Sequence, residues 1–241
     1  MIGVDMELFP NSDEARRAKA RANRVMFDHI APHYDLLNLL MSLGQIQYWR
    51  RRLVECCAIS TGSRCLDLCC GTGKVTRALA QRGAAVIGVD ASAGMLKVAK
   101  ARSGQTIGFV QGDALCLPFP DNTFDAVTIA FGNRNVASIE QLYAEMRRVA
   151  RHGGRIASLE VIPPTSALLN GLFFFYFNHL PPLFARLFGT DPMAYAYLSE
   201  SVRNYPDARH VTDIMHAAGL HEVRYHALFG GIVALHVGVK R

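Results

Sequence analysis

LDLCCGTGK, residues 66–74, decides the fold. Its apolar run closes on a Gly-Thr-Gly turn and passes directly into KVTRALAQR (74–82), which has helical periodicity. A strand that turns on glycines into a helix brings backbone N–H groups and a helix N-terminus close to a polar ligand. Two nucleotide motifs are incomplete at this place. A dinucleotide fingerprint needs a third glycine where Thr76 stands, and a P-loop needs glycine at Leu68 and Ser or Thr at Val75.

Around this turn, short β-rich runs alternate with helical ones, the pattern of a sheet with crossover helices. RCLDL (64–68), AAVIGVD (84–90), TIGFVQGD (106–113), FDAVTIAFG (124–132) and RIASLEV (155–161) read as five strands. SAGMLKVAKAR (92–102), with Ser92 placed to cap it, and IEQLYAEMRRVA (139–150) read as helices between them. The five strands are expected to be parallel and covered on both faces. HEVRYHAL (221–228) and IVALHVGVK (232–240) are separated only by Phe229, Gly230 and Gly231. That leaves no room for a crossover, so they are expected to form an antiparallel hairpin.

The chain has 241 residues, of which 50% are hydrophobic, enough for one domain over 1–241. Three helical segments precede the sheet, at 12–28, 32–42 and 46–58, and together make an N-terminal helical lid over 12–58. A helical segment at 166–203 is inserted after the fifth strand, on the acceptor side. It contains GLFFFYFNHLPPLF (171–184), whose apolar run is expected to break at Pro181 and Pro182. That run is too short to cross a bilayer; it reads as a core helix or as a mobile apolar cover.

The formal net charge of +6 invites an anionic partner. RRAKARANR (16–24) carries five cations at helical spacing, as a solvated face or an attractor for anionic lipid. The six cysteines show no metal-knuckle spacing and no secretory leader precedes them, so they read as reduced thiols of a cytoplasmic protein with no metal.

Asp90 ends the second strand about 23 residues after Asp67, the separation at which a carboxylate accepts from ribose hydroxyls. Asp113 ends the third strand, placed for an adenine amino group, with the Ala114 N–H available to a ring nitrogen. Carboxylates at the ends of three successive strands suit S-adenosylmethionine, which has an adenosine and a cationic sulfonium and no pyrophosphate.

MFDHIAPHYDLLNLLMS (26–42), LDLCCGTG, DALCLPFPDNTFDAVTIAFGNRNV (113–136), DPMAYAYLSESVRNYPD (191–207) and GGIVALHVG (230–238) resemble the ubiquinone/menaquinone biosynthesis C-methyltransferase family. The resemblance spans nearly the whole chain, from Met26 to the C-terminus. It implies a Rossmann-like class I methyltransferase, an α/β fold with a mostly parallel seven-stranded sheet that ends in an antiparallel hairpin. It also implies C-methylation of a prenylated hydroquinone, of the demethylmenaquinol to menaquinol type, with S-adenosylmethionine as donor. The family's cofactor contacts fall on Thr72, Asp90, Asp113 and Ala114, with Gly71 and Gly73 shaping the turn. Two positions depart from its pattern: Lys74 replaces an acidic residue, and EVIPP (160–164) replaces EFSKP and so lacks a cation near the acceptor mouth.

The reaction needs the acceptor as its ring anion. Arg134 and Asn135, just beyond the fourth strand, are assigned to the acceptor oxygen, with Arg134 as a permanent cation that lowers the hydroxyl's pKa. A structural pairing of Arg134 with Glu160 or Asp125 is the alternative. His33, His179, Glu160, His236 or a water could take the proton, and the sequence singles out none. Tyr34, Asp35 and Asn38 resemble the family's lid residues, and Tyr195, Tyr197 and Ser201 are candidates for closing the acceptor pocket.

The rival readings differ in class. Another methyltransferase of a lipophilic phenol, polyketide or sterol would share the scaffold. A nucleic-acid methyltransferase would carry an Asn/Asp-Pro-Pro-aromatic motif where this chain has FGNRN, so no nucleic-acid partner is expected. A non-enzymatic S-adenosylmethionine binder or a scaffold for quinone-synthesis enzymes stays open, as does monomer against homodimer. Peripheral contact with the inner face of the membrane is the expected meeting point with the lipophilic quinol.

Overall fold

The computed structural model describes residues 12–104, 106–164, 166–188 and 192–241, without the side chains of residues 167, 181–188, 192–196 and 198. Three helices come first: α1 (Asp13–Ile30), α2 (Tyr34–Met41) and α3 (Ile46–Cys56). The alternating part follows as β1 (Arg64–Leu68), α4 (Lys74–Ala80), β2 (Ala85–Asp90), α5 (Ala93–Ala101), β3 (Gly108–Gln111), β4 (Phe124–Ala130), α6 (Ile139–Val149) and β5 (Ala150–Val161). The chain ends with α7 (Ala167–Phe188), α8 (Pro192–Arg203), α9 (Ala208–Ala217), β6 (Leu220–Leu228) and β7 (Val233–Lys240).

The seven strands form one sheet in the order β3-β2-β1-β4-β5-β7-β6. The first five pair in parallel, and β7 runs antiparallel to both β5 and β6. The strand order reverses between β1 and β4, and ligands of open α/β sheets bind beyond the strand C-termini at such a reversal. The central strands are buried on both faces, as parallel strands under helices must be. One core lies under α6 and α9, around Leu66, Ile129, Tyr143 and Met215; the other lies under α3 and α4, around Trp49, Leu53, Leu79 and Leu235.

Local chemistry sets the helix starts. The side chains of Ser12, Ser92, Ser138 and Asp207 each accept a first-turn N–H, from Ala15, Met95, Gln141 and His210. Two features depart from the sequence reading. Helix α7 continues through Pro181 and Pro182 to Phe188 instead of breaking there. Its neighbour α8 lends support at that point, where Ser199 Oγ donates to Asn178 Oδ1 at 2.7 Å. Helix α9, to which the sequence reading gave no element, fills the stretch between the insertion and the hairpin. Among the described residues, no helix is long and apolar enough to cross a membrane.

Candidate functional site

The chain leaves β1 through Cys69, whose φ of +48° is left-handed, and turns on Gly71 (+54°) and Gly73 (+77°) into α4. Gly73 disfavours a side chain twice over: its φ is left-handed, and a Cβ there would lie a tight 3.2 Å from both Ala99 Cβ and Phe109 Cζ. The turn is tied to the end of β2. Gly71 N–H donates to Asp90 Oδ2 at 2.8 Å, and Ser92 N–H donates to Oδ1 at 2.8 Å. Both carboxylate oxygens are thus fixed in direction, each with a lone pair left for a hydroxyl donor. Burial pushes the Asp90 carboxyl up, and the N–H bonds pull it back.

A cavity of about 710 Å³ opens at the C-terminal ends of β1, β2 and β4, lined by Gly71, Asp90, Asp113, Ala114, Phe131 and Asn135 among others. Asp113 is exposed and accepts from Leu115 N–H at 2.9 Å, and Ala114 is buried beside it. Thr72 lies outside this lining. Its buried hydroxyl donates to Asp35 Oδ1 at 2.9 Å, and Asp35 also pairs with Arg102 at 2.5 Å and Lys74 at 3.9 Å. Asp35 therefore ties α2 to the glycine turn.

A smaller hollow of about 20 Å³ adjoins the turn, lined by Tyr34, Arg50, Gly71 and Thr72 among others. The Arg50 guanidinium faces it with no hydrogen-bond or ion-pair partner among the described residues, and burial pulls its pKa down. The sequence reading missed Arg50, for no motif marks it; only its place on the apolar helix α3, after the buried Trp49, hints at an inward cation.

Beyond β4, Phe131 adopts a φ of +60° and Gly132 presses against β1, where a Cβ would meet Cys69 Cβ at 2.6 Å. A 3-10 turn follows over Asn133–Asn135. The buried Asn133 amide sits among three hydroxyls, Ser158 at 2.6 Å, Tyr205 at 3.0 Å and Tyr143 at 3.2 Å. Arg134 is buried and paired with Glu160; Asp125, the other partner considered, binds Arg151 and the Arg64 N–H. Asn135 Oδ1 accepts from Tyr197 OH at 3.1 Å. From the other side, Lys19 Nζ donates to the Arg134 and Val136 carbonyls at 3.1 and 2.7 Å, and Asn23 Nδ2 to the Asn135 carbonyl at 2.8 Å. Burial lowers the Lys19 ammonium to about 7.

A second cavity, of about 240 Å³, lies between α2, α3 and α7, with walls that include Met41, Trp49, Phe173 and Phe177. Among the described residues Arg134 is its one cationic lining residue, and Phe131 lines both this cavity and the larger one. Asn38 also lines it and donates to the Tyr34 carbonyl at 2.9 Å. Tyr34 itself faces the two cavities at the glycine turn. Ser201 is buried, and the side chain of Tyr195 lies outside the described residues.

The candidate proton acceptors separate by position. His236 is buried, bonded to the Ala208 carbonyl at 2.8 Å and ring-packed on Tyr225, so it serves the fold. His33 and His179 are exposed, and the His179 ring bonds the Phe175 carbonyl. Glu160 is the candidate in contact with Arg134, and burial pushes its carboxyl up.

The sheet order, the glycine turn after β1 and the carboxylate ending β2 define a class I methyltransferase. The ubiE/COQ5 methyltransferase family model matches residues 15–240, and the chain belongs to that family. The demethylmenaquinone methyltransferase of Paenarthrobacter aurescens is 42% identical over 215 residues, which cover 89% of this chain and 85% of the relative. The ubiquinone/menaquinone biosynthesis C-methyltransferase UbiE of Pseudomonas paraeruginosa is 41% identical over 241 residues, 96% of this chain and 93% of the relative. Solved structures with the same fold include an S-adenosylmethionine-dependent methyltransferase of Thermotoga maritima, with TM-score 0.64, 17% identity and coverage of 91% and 100%. The [4+2]-cyclase SpnF also matches, with TM-score 0.65, 15% identity and coverage of 90% and 94%. A cyclase on this fold means that the reaction has to be argued from the site.

Proposed function

We propose that this methyltransferase C-methylates a prenylated hydroquinone, of the demethylmenaquinol type, with S-adenosylmethionine as donor. One observation carries the reading: Phe131 is a shared wall between a carboxylate-lined polar cavity and an apolar cavity whose one lining cation among the described residues is Arg134. An adenosine-bearing donor suits the first, and a greasy acceptor that reacts as its oxyanion suits the second.

The residues present fit the donor. Asp90 meets the ribose hydroxyls with its two remaining lone pairs, Asp113 and the Ala114 N–H meet the adenine, and Gly71 and Gly73 let the donor approach the backbone. Thr72 contributes through its backbone, since its hydroxyl is held by Asp35. Arg50 extends the set assigned from sequence: an uncompensated guanidinium beside the glycine turn suits the carboxylate of the methionyl tail. The donor supplies an electrophilic methyl on a sulfonium.

The chain's part is to bind, orient and exclude water. Arg134 stabilises the ring oxyanion and Asn135 fixes the ring's orientation, so that the adjacent carbon faces the donor cavity. That carbon gains the methyl and loses its proton, with one proton released to solvent overall. Glu160 keeps the Arg134 fork turned toward the acceptor. Tyr197 holds Asn135, Asn38 and Tyr34 form the partition between the two cavities, and Tyr195 belongs to the same acceptor-side segment.

The apolar mouth supports peripheral contact with a membrane, where a long prenyl tail resides. Leu168, Leu172 and Phe175 form one exposed stripe of α7 at 74%, 59% and 64% exposure, with Leu43 and Phe229 exposed at the cavity's rim.

The test is direct. Purified protein with S-adenosylmethionine and chemically reduced demethylmenaquinone should yield a quinone heavier by one methylene, detected by mass spectrometry. Absence of that product, with cofactor binding intact, removes the quinol assignment; methylation of simple lipophilic phenols in its place would move the acceptor to that class.

A further inference from the structure

Helix α1 is 18 residues long, yet its only buried side chains are polar: Lys19 and Asn23. A surface helix ordinarily docks by an apolar stripe. This one packs Met26, Phe27 and Ile30 near its C-terminal end on α2, and is held besides by hydrogen bonds at both lips of the donor cavity. On the β2 side, Asp28 Oδ1 accepts from Ser92 Oγ at 2.6 Å and from Gly94 N–H at 2.8 Å. The approach is close enough that a Cβ at Gly94 would lie 3.0 Å from Asp28 Cα. On the β4 side, Lys19 and Asn23 hold three successive carbonyls, those of Arg134, Asn135 and Val136. Between these anchor points Ala20, Arg24 and Phe27 face the cavity, and so does Asn23 itself.

We propose that Lys19 and Asn23 are positioning residues, through which the helix that walls the donor cavity holds the 133–135 turn so that Arg134 and Asn135 face the acceptor. The catalytic part of this proposal rests on the methyl-transfer reading above; the structural part does not. The turn is held from beneath by the hydroxyls around Asn133, and its N–H groups are bonded at Arg134 to Glu160 Oε2 and at Asn135 to the Gly132 carbonyl, which leaves the carbonyls of residues 134–136 to be held from the side of α1. Lys19 and Asn23 supply that hold. A buried amine satisfied by two carbonyls, and an amide by a third, also keep these backbone acceptors from being orphaned when the helix covers them. Donor binding against α1 is thereby linked to the geometry of the acceptor turn, although no side chain of α1 need touch the acceptor.

The experiment compares wild type with Lys19→Met and Asn23→Ala, and with Arg21→Ala on the exposed face of α1 as a charge control. Three quantities are read: kcat and KM with the quinol, Kd for S-adenosylhomocysteine by calorimetry, and hydrogen exchange across residues 131–137 with S-adenosylhomocysteine bound. Misorientation of a reacting group by about 1 Å costs on the order of 10²-fold in rate. Lys19→Met is expected to lower kcat by that order and Asn23→Ala by roughly tenfold. Lys19→Met, outside the cavity lining, should leave Kd within about threefold; both variants should speed exchange in the turn while β1 and β2 stay protected, and Arg21→Ala should change none of these. Asn23→Ala, the milder truncation, carries the test if Lys19→Met does not fold. Unchanged exchange in the turn, or a fall in kcat in Lys19→Met matched by an equal loss of cofactor affinity, overturns the proposal. If wild type methylates no quinol, the function assigned above fails, and the exchange comparison alone still decides whether Lys19 and Asn23 order the turn.

Discussion

Arg134, which lines the apolar cavity, forms a buried ion pair with Glu160, and its Nε has no partner among the described residues. The pair binds the turn after β4 to the end of β5, and Arg134 is the member of the pair that lines the cavity.

Removing either charge should have different consequences. Glu160→Gln leaves a buried guanidinium without its counter-ion, and breaking a buried pair in this way costs about 3–5 kcal/mol. Arg134→Ala leaves a carboxyl whose pKa burial already raises, so that it can take up a proton. The expected outcome is a larger drop in thermal midpoint for Glu160→Gln. Arg134→Ala should give the larger drop in turnover, on the order of 10²-fold or more, with cofactor Kd within a fewfold of wild type. Full turnover in Arg134→Ala would remove its role at the acceptor oxygen.

Asp90→Ala should act on the donor. The substitution deletes two charge-assisted acceptors for ribose hydroxyls, each worth about 1.5–3 kcal/mol, and frees the N–H groups of Gly71 and Ser92. Cofactor Kd should rise by on the order of 10²-fold or more, measured by calorimetry, while thermal stability without cofactor changes less. Unaltered affinity would dissociate Asp90 from the donor.

Asp67 gives a pH signature of folding. Its carboxylate lies beneath the glycine turn, where it accepts from Thr76 Oγ1 at 2.6 Å and Thr128 Oγ1 at 2.9 Å. Burial raises its pKa from 3.8 to about 6. The folded state therefore holds the proton more tightly than the unfolded chain. The stability this confers is present in full below about pH 4 and is lost as pH rises through about 6. The size is about 2–3 kcal/mol at most. Urea melts should show the difference between Asp67→Asn and wild type shifting in favour of the variant between pH 4 and pH 7, and a difference independent of pH would contradict the buried, raised carboxyl.

How much of this could be read in the sequence depends on the reach of the interactions. β1 matches its sequence reading residue for residue, and the ends of β2, β4 and β7 fall within two residues of theirs, because alternation and turn residues are local. Gly71, Asp90, Asp113 and Ala114 converge on one cavity because each lies at the end of a strand of the same sheet or within three residues beyond it. Longer reach defeats the reading. Lys19 meets Arg134 across 115 positions, and nothing around Lys19 distinguishes it from the exposed cations beside it. At Pro181 and Pro182 the local rule gives a break, whereas the helix continues beside α8. Helix α9 did leave a local signal in the Asp207 cap and the apolar Val211, Ile214 and Met215.

The rim of the apolar cavity yields a prediction about tail length. Leu172 is 59% exposed on α7 and lines the cavity, so a charge there should leave folding within about 0.5 kcal/mol of wild type. Leu172→Arg places a strongly hydrated group where a prenyl tail would pass. KM for a long-tailed demethylmenaquinol in vesicles should rise by roughly tenfold, the equivalent of about 1.4 kcal/mol of lost apolar contact. For an acceptor with a single prenyl unit, which reaches Arg134 without crossing the rim, KM should be unchanged. Equal effects on both acceptors would show that the tail takes another path, and equal insensitivity would show that it never enters this cavity.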